Sequence, residues 1–150
     1  TLRLPQDSHV LGTAAGDSKA ASDIDGLIKA GHKVHMWISI PCRPWCRWHA
    51  INFWKLGPLF RAKVEQERRL SLDLLSSVFE LVALVESAGG TWSFEWPRNS
   101  FGWKAPKLTK WLAARKTCQA DFDGCKFGLK SHKGRTIRKP WKVVKFPGPS

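Results

Sequence analysis

A cysteine and a glutamate each lie at the end of an apolar run in this chain, and both have the side-chain chemistry of reacting groups. Cys42 follows residues 34–40 and Pro41, and Glu95 lies near the end of residues 91–97, which also stop at a proline. A thiolate is a nucleophile, and a carboxyl group held near it can act as a general acid. We therefore predict Cys42 and Glu95 as candidate catalytic residues.

Each of these residues also has a simpler interpretation. An isolated cysteine is more often a small packed side chain than a nucleophile. Glu95 is equally suited to cap a loop or to pair with Arg98, three positions later. The catalytic hypothesis therefore depends on whether the fold brings the two side chains to one place.

Two predicted strands and one long helix would have to bring these residues together. Residues 34–40 and 91–97 have the composition of strands, and apolar residues recur every three or four positions over residues 59–88. A strand, a helix and a second parallel strand form a crossover, in which both strands end on the same side of the sheet. We therefore expect Cys42 and Glu95 at a common end of one sheet.

The remaining predicted elements complete a small α/β fold. Helices are predicted over residues 22–31 and from Pro106 to about Lys116, and residues 118–129 and 136–146 predict the two strands of a hairpin. The fold class that we predict is α/β, a partial Rossmann-like three-layer sandwich with a C-terminal β-hairpin.

Composition divides the chain into three parts. We predict an N-terminal loop or linker over residues 1–21, a single α/β domain over residues 22–146 and a tail over residues 147–150. The chain of 150 residues suits one core and is short for two. It starts with Thr rather than Met, from which we expect a piece of a longer protein, and it has no apolar run or signal segment that predicts a membrane protein.

Positive charge is concentrated in the last third of the chain. Residues 1–100 hold 12 basic and 10 acidic residues, net +2, whereas residues 101–150 hold 13 basic and 2 acidic residues, net +11. A one-sided basic field indicates a polyanionic partner, most often nucleic acid. The alternatives are a basic surface that only keeps the protein in solution and a solvated tail without a fixed partner.

We expect a nucleic-acid partner, DNA before RNA, and no membrane partner. Phosphate contacts would give this binding a steep dependence on salt. The candidate contact residues are basic side chains near the predicted strand ends and in the hairpin: Arg43, Arg47, Arg98, Lys130, Lys133, Arg135, Arg138, Lys139 and Lys142.

The cysteines and histidines raise zinc binding as a rival hypothesis. Neither possible set contains the tight Cys-x2-Cys pair of strong zinc sites, so we expect no metal and keep a zinc-stabilised domain as an alternative. Four cysteines without a secretory signal favour a reduced, intracellular protein, with the nucleus as one location. The two possible sets are Cys42, Cys46 and His49, and Cys118, Cys125 and His132.

Three blocks follow one another within residues 34–146: Ile40-Pro41-Cys42, then Glu95, then Asp123-Gly124 with Arg135, Arg138 and Lys139. In this order they are similar to the second half of the catalytic domain of DNA cytosine-5 methyltransferases. Ile40-Pro41-Cys42 resembles the Pro-Cys motif of that family, and Glu95 resembles the glutamate of its Glu-Asn-Val motif. The same blocks also resemble segments of retroelement-type polyproteins. The third block resembles the late hairpin with its Gln-x-Arg-x-Arg signature: Asp123-Gly124, Arg135, Arg138 and Lys139.

The resemblance implies a methyltransferase-like fold and a reaction on DNA. The Cys42 thiolate would add to C6 of a flipped-out cytosine, Glu95 would protonate N3, and C5 would then take the methyl group. Arg135 and Arg138 would position the cytosine or the backbone. S-adenosylmethionine would be the methyl donor, expected only if an upstream segment completes the site, because the Gly-rich cofactor loop of that family lies well before Pro-Cys.

Two functions follow from these observations, and they leave open whether the chain is an enzyme. The first is a truncated or degenerate cytosine-5 methyltransferase-like domain that acts on DNA through Cys42 and Glu95. The second is a non-catalytic nucleic-acid-binding module of a mobile-element polyprotein, which uses only the basic C-terminal hairpin.

Overall fold

Four strands and three α-helices make up the computed structural model, which describes residues 10–148. A short 3-10 turn follows each of the first three strands in the chain. In chain order the elements are α1 (Ala14–Lys29), β1 (His35–Ile38), α2 (Trp48–Ser87), β2 (Thr91–Pro97), α3 (Pro106–Ala113), β3 (Cys118–Asp123) and β4 (Pro140–Phe146).

The strands form one mixed sheet in the order β1-β2-β4-β3. β1 and β2 are parallel, which confirms the predicted crossover, and β3 and β4 are antiparallel, which confirms the predicted hairpin. Pro97 of β2 pairs with Trp141, and Asp123 of β3 pairs with Pro140. The carboxyl ends of β1, β2 and β3 and the amino end of β4 therefore lie together, and we call this the carboxyl end of the sheet.

All three helices pack on one face of the sheet. Trp92, Phe94 and Trp96 of β2 are buried against α2 and α3 in a single apolar cluster. α1 packs on α2 through Ala20 and Ile24 and reaches the same side of the sheet. Because successive side chains of a strand point to opposite faces, every second strand residue lies on the other face.

The second face carries no helix within residues 10–148, and we call it the open face. Its residues are partly or well exposed, apart from Ser93, which is buried between its neighbours. The residues of the open face, strand by strand, are His35 and Trp37; Thr91, Ser93, Glu95 and Pro97; Trp141, Val143 and Lys145; and Cys118, Ala120 and Phe122.

The mixed α/β class is therefore confirmed, but the predicted three-layer sandwich is wrong for the described residues, which form two layers. The sheet has one parallel pair and hence one crossover helix, α2. β4 joins the sheet antiparallel and needs no helix on the second face.

Two helices begin earlier than the sequence predicts. α1 begins at Ala14 rather than at residue 22, because the Thr13 side chain accepts a hydrogen bond from the backbone N–H of Gly16 and caps it. The predicted loop over residues 1–21 is thus wrong for residues 14–21, and residues 1–9 lie outside the described part of the chain.

α2 begins at Trp48 rather than at residue 59, and the predicted break at Gly57 and Pro58 is a kink inside it. Gly57 has φ 73° and ψ −167°, a conformation that is essentially restricted to glycine. Although α2 has 40 residues, no described helix combines the length and the apolar character needed to cross a membrane.

Candidate nucleic-acid interface

The loop that follows β1 is fixed to the core by two indole hydrogen bonds. Trp45 Nε1 donates to Ser71 Oγ of α2 at 2.8 Å, and Trp96 Nε1 of β2 donates to the carbonyl of Ile40 at 2.8 Å. The half-buried Cys42 lies between these two anchors and packs against the core cluster. The loop therefore has a defined position at the carboxyl end of the sheet.

Glu95 is half-buried at the same end, but it belongs to the open face. Its Oε1 accepts a hydrogen bond of 3.1 Å from Ser39 Oγ, which ties the loop after β1 to β2. Cys42, in contrast, packs against the cluster beneath the helices. Within residues 10–148 no hydrogen bond joins the two side chains, so their joint catalytic role stays a prediction.

Asp123 links two of the predicted arginines at the carboxyl end. Its Oδ2 accepts from Arg138 Nε at 3.1 Å, and its Oδ1 lies 4.0 Å from Arg98 Nη2. The backbone N–H of Arg98 also donates to the carbonyl of Pro140 at 2.9 Å. Arg98 and Arg138 were both predicted as contact residues, but their pairing with Asp123 was not predicted. The available signal was that Asp123 is one of only two acidic residues after position 100.

Residues 124–139, which we call the connecting segment, join β3 to β4 and have internal hydrogen bonds. The N–H of Ile137 donates to the carbonyl of Leu129 at 2.9 Å, and the N–H of Ser131 donates to that of Arg135 at 2.8 Å. The segment contains no acidic residue. All its basic side chains are exposed: Lys126, Lys130, Lys133, Arg135, Arg138 and Lys139.

Three other predicted contact residues have partners within the protein. The Arg43 guanidinium lies 3.6 Å from Glu67 of α2, and that of Arg47 lies 6.0 Å from the centre of the Phe101 ring. Lys142 lies on the covered face, with its ammonium 5.2 Å from the Trp103 ring centre. Apart from Arg98, the remaining predicted contact residues lie in the connecting segment, where they are exposed.

A groove of about 690 Å³, which we call the aromatic groove, lies beside the connecting segment and was not predicted from the sequence. Phe122, Phe127 and Trp141 supply aromatic walls, and Lys130 and Lys139 lie at its border. The sequence signal for this groove was the position of Phe122 and Trp141, at the two strand ends that flank the connecting segment.

A smaller groove of about 370 Å³ lies at the opposite end of the sheet, near His35 and Thr91. The ring Nδ1 of His35 lies 2.7 Å from Thr91 Oγ1. Partial burial, together with the positive charge of Lys145, lowers the pKa of His35 below its ordinary value. This histidine is therefore mostly neutral at neutral pH.

No family model, curated protein or solved structure matches the chain.

Metal ligands do not gather in the part of the chain that the structure describes. No three His, Cys, Asp or Glu side chains within residues 10–148 lie close enough to hold one ion. His49, from the first possible zinc set, has its Nε2 2.7 Å from the carbonyl of Arg43. Cys118, from the second set, donates weakly to the carbonyl of Lys145.

The described residues also do not fit S-adenosylmethionine. The first described element is the helix α1, and within residues 10–148 no strand with a Gly-rich turn precedes β1.

Proposed function

We propose that this protein binds nucleic acid through the connecting segment at the carboxyl end of its sheet. The observation that carries the proposal is the distribution of charge in residues 124–139. Of the basic side chains there, only Arg138 contacts a carboxylate among the described residues. The other cations are exposed, and phosphates would neutralise them with release of counterions.

The hydrogen-bonded structure of the connecting segment distinguishes this proposal from the alternative of a solvated tail without a fixed partner. The segment is closed by backbone hydrogen bonds, and the N–H of Arg98, just after β2, donates to the carbonyl of Pro140, just beyond its end. Its cations therefore keep a fixed arrangement, as phosphate contacts that set an orientation require. We propose DNA before RNA as the partner, and with it a location in the nucleus.

Fluorescence anisotropy of a labelled DNA duplex, measured over a range of salt concentrations, tests the proposal. The variant replaces Arg135, Arg138 and Lys139 together by Gln. We expect affinity to fall and the slope of log K against log salt to decrease by about two to three, because each lost phosphate contact removes about one counterion.

The matched control removes the same charge from another surface. It replaces three exposed basic residues of α2 by Gln and is expected to change the affinity little. Equal losses in both variants, or no binding of any nucleic acid, duplex or single-stranded, by the unmodified chain, would overturn the proposal. The control residues are Lys55, Lys63 and Arg69.

The second candidate function is that of a methyltransferase-like domain with a Rossmann-like sheet, in which the Cys42 thiol contacts a base of the bound DNA. The observation that favours it is the bond from Ser39 to Glu95, which joins the Cys42 loop to the neighbouring parallel strand. A thiol that meets a base is shielded when DNA binds. Bound DNA should then slow the alkylation of Cys42 by iodoacetamide, with the exposed Cys118 as an internal control. If DNA binds and Cys42 is alkylated as fast as before, this candidate is excluded and the first proposal stands.

A further inference from the structure

One ring of the aromatic groove, that of Phe127, is largely exposed to solvent. Phe127 is 76% exposed, the most of any described phenylalanine. Its ring centre lies 5.1 Å from that of Phe122, with the two ring planes at 76°. Because about three quarters of Phe127 is exposed, a flat ligand has room to stack on its ring.

Positive charge borders the same groove. Lys130 and Lys139 line it, and the Lys139 ammonium lies 4.2 Å from the centre of the Trp141 ring. A ligand that suits this site combines a flat apolar surface with a negative charge a few ångströms away. A nucleotide within a polynucleotide has both features, the base and its phosphate.

The groove opens onto the uncovered sheet surface. Phe122 and Trp141 pair across β3 and β4 and belong to the open face. At the far strand of the same face, the Trp37 side chain is 55% exposed. Aromatic side chains on an uncovered four-stranded sheet are a known platform on which successive bases stack.

Resting on the nucleic-acid-binding function proposed above, we infer that this groove takes the unstacked bases of a single-stranded polynucleotide. One base stacks on Phe127, and its phosphates contact Lys130 and Lys139. A duplex does not offer this contact, because its bases are stacked on one another and paired. The ligand class is thus single-stranded DNA or RNA, which share this chemistry.

Anisotropy measurements with one labelled sequence in several forms test the inference. The forms are single-stranded DNA, single-stranded RNA, the DNA duplex and a single strand with abasic sites. Single strands are expected to bind at least about fivefold more tightly than the duplex or the abasic strand, because each stacked base contributes affinity. The single strand that binds more tightly, DNA or RNA, identifies the natural ligand.

Phe127→Ala is the diagnostic variant. It is expected to weaken binding of the single strand by about 5-fold to 100-fold and to leave duplex binding nearly unchanged. Trp54→Ala is the matched control, because Trp54 is an exposed aromatic residue on α2, away from the groove. An unchanged thermal unfolding midpoint shows that Phe127→Ala folds normally.

The outcomes separate the two proposals. Equal affinity for single strand, abasic strand and duplex, with no effect of Phe127→Ala, overturns the base-stacking site and leaves the connecting segment as a phosphate-binding surface. Absence of binding to every form overturns the proposed function itself.

Discussion

Trp45 and Ser71 form a buried hydrogen bond that joins the loop after β1 to the middle of α2. The indole Nε1 donates to the hydroxyl oxygen at 2.8 Å, and both residues are less than a tenth exposed. The Arg68 guanidinium also lies over the Trp45 ring, 5.3 Å from its centre. The position of the Cys42 loop thus depends on a polar contact inside the core.

Trp45→Phe is expected to lower the free energy of unfolding by about 1–3 kcal/mol, because it leaves the Ser71 hydroxyl without a partner in the core. Urea unfolding followed by circular dichroism gives this value. Ser71→Ala removes the other partner, and the double variant should lose less than the sum of the single losses. Strictly additive losses would show that the two side chains do not interact.

Glu86 should make the stability of the fold depend on pH. Its burial acts to raise the pKa, but hydrogen bonds from Arg115 and Trp92 and the Arg115 charge outweigh this, so that the pKa is lowered below the ordinary value. The Arg115 Nε donates at 2.7 Å and Nη2 at 3.0 Å. A lowered carboxyl pKa stabilises the fold above the unfolded-state pKa, and this contribution disappears as the pH falls.

We therefore expect the free energy of unfolding to fall as the pH drops below about 5, as Glu86 becomes protonated. Glu86→Gln should be less stable than the parent at pH 7 and should show a weaker decline over this range. Urea titrations at a series of pH values measure both effects. Parallel pH profiles of parent and variant would contradict the assignment to Glu86.

Two glycine substitutions are expected to change stability in opposite directions. A Cβ on Gly102 would overlap the six-membered ring of Trp96, so Gly102→Ala should cost about 1–3 kcal/mol through overpacking. Gly26 lies within α1 with nothing near its Cβ position. Gly26→Ala should raise stability by about 0.5–1 kcal/mol. Thermal unfolding of both variants checks the contrast, which fails if both shifts have the same sign.

Asp123→Asn should strengthen DNA binding. The carboxylate competes with phosphate for Arg138 and lies near Arg98, so its removal frees positive charge. Arg138 is exposed, and an ion pair at the surface is worth about 0.2–1 kcal/mol, which corresponds to a gain in affinity of about 1.5- to 5-fold. Anisotropy measurements at constant salt test this, with the exposed Asp73→Asn of α2 as the equal-charge control. Unchanged or weaker binding would show that Asp123 does not hold Arg138 away from DNA.

Much of the local structure could be predicted from the sequence because local patterns determine it. The bounds of β2 agree with the predicted strand over residues 91–97, since aromatic residues alternate up to a proline. The parallel pairing of β1 and β2 followed from the long helix between them. Gly57 was recognised as an interruption, but pattern alone does not distinguish a kink from a helix end.

The arrangement of distant elements was not accessible in the same way. The insertion of β4 between β2 and β3 depends on contacts between residues far apart in sequence. Whether a face is covered depends on where helices pack, so the open face and its aromatic groove were missed. The interpretation of Cys42 had the same difficulty, because its orientation toward the core is decided by tertiary contacts with the Trp45 and Trp96 regions.

The place of β4 in the sheet also has a consequence for how the protein is made. β4 is the last strand of the described residues, yet it lies inside the sheet, next to β2. During synthesis on the ribosome, one backbone edge of β2 therefore stays unpaired until Phe146 has left the exit tunnel. β3 has no partner strand over the same period. Unpaired edges attract other strands. A nascent chain halted before Pro140 would hold only the β1–β2 pair and would become a target for chaperones or proteases.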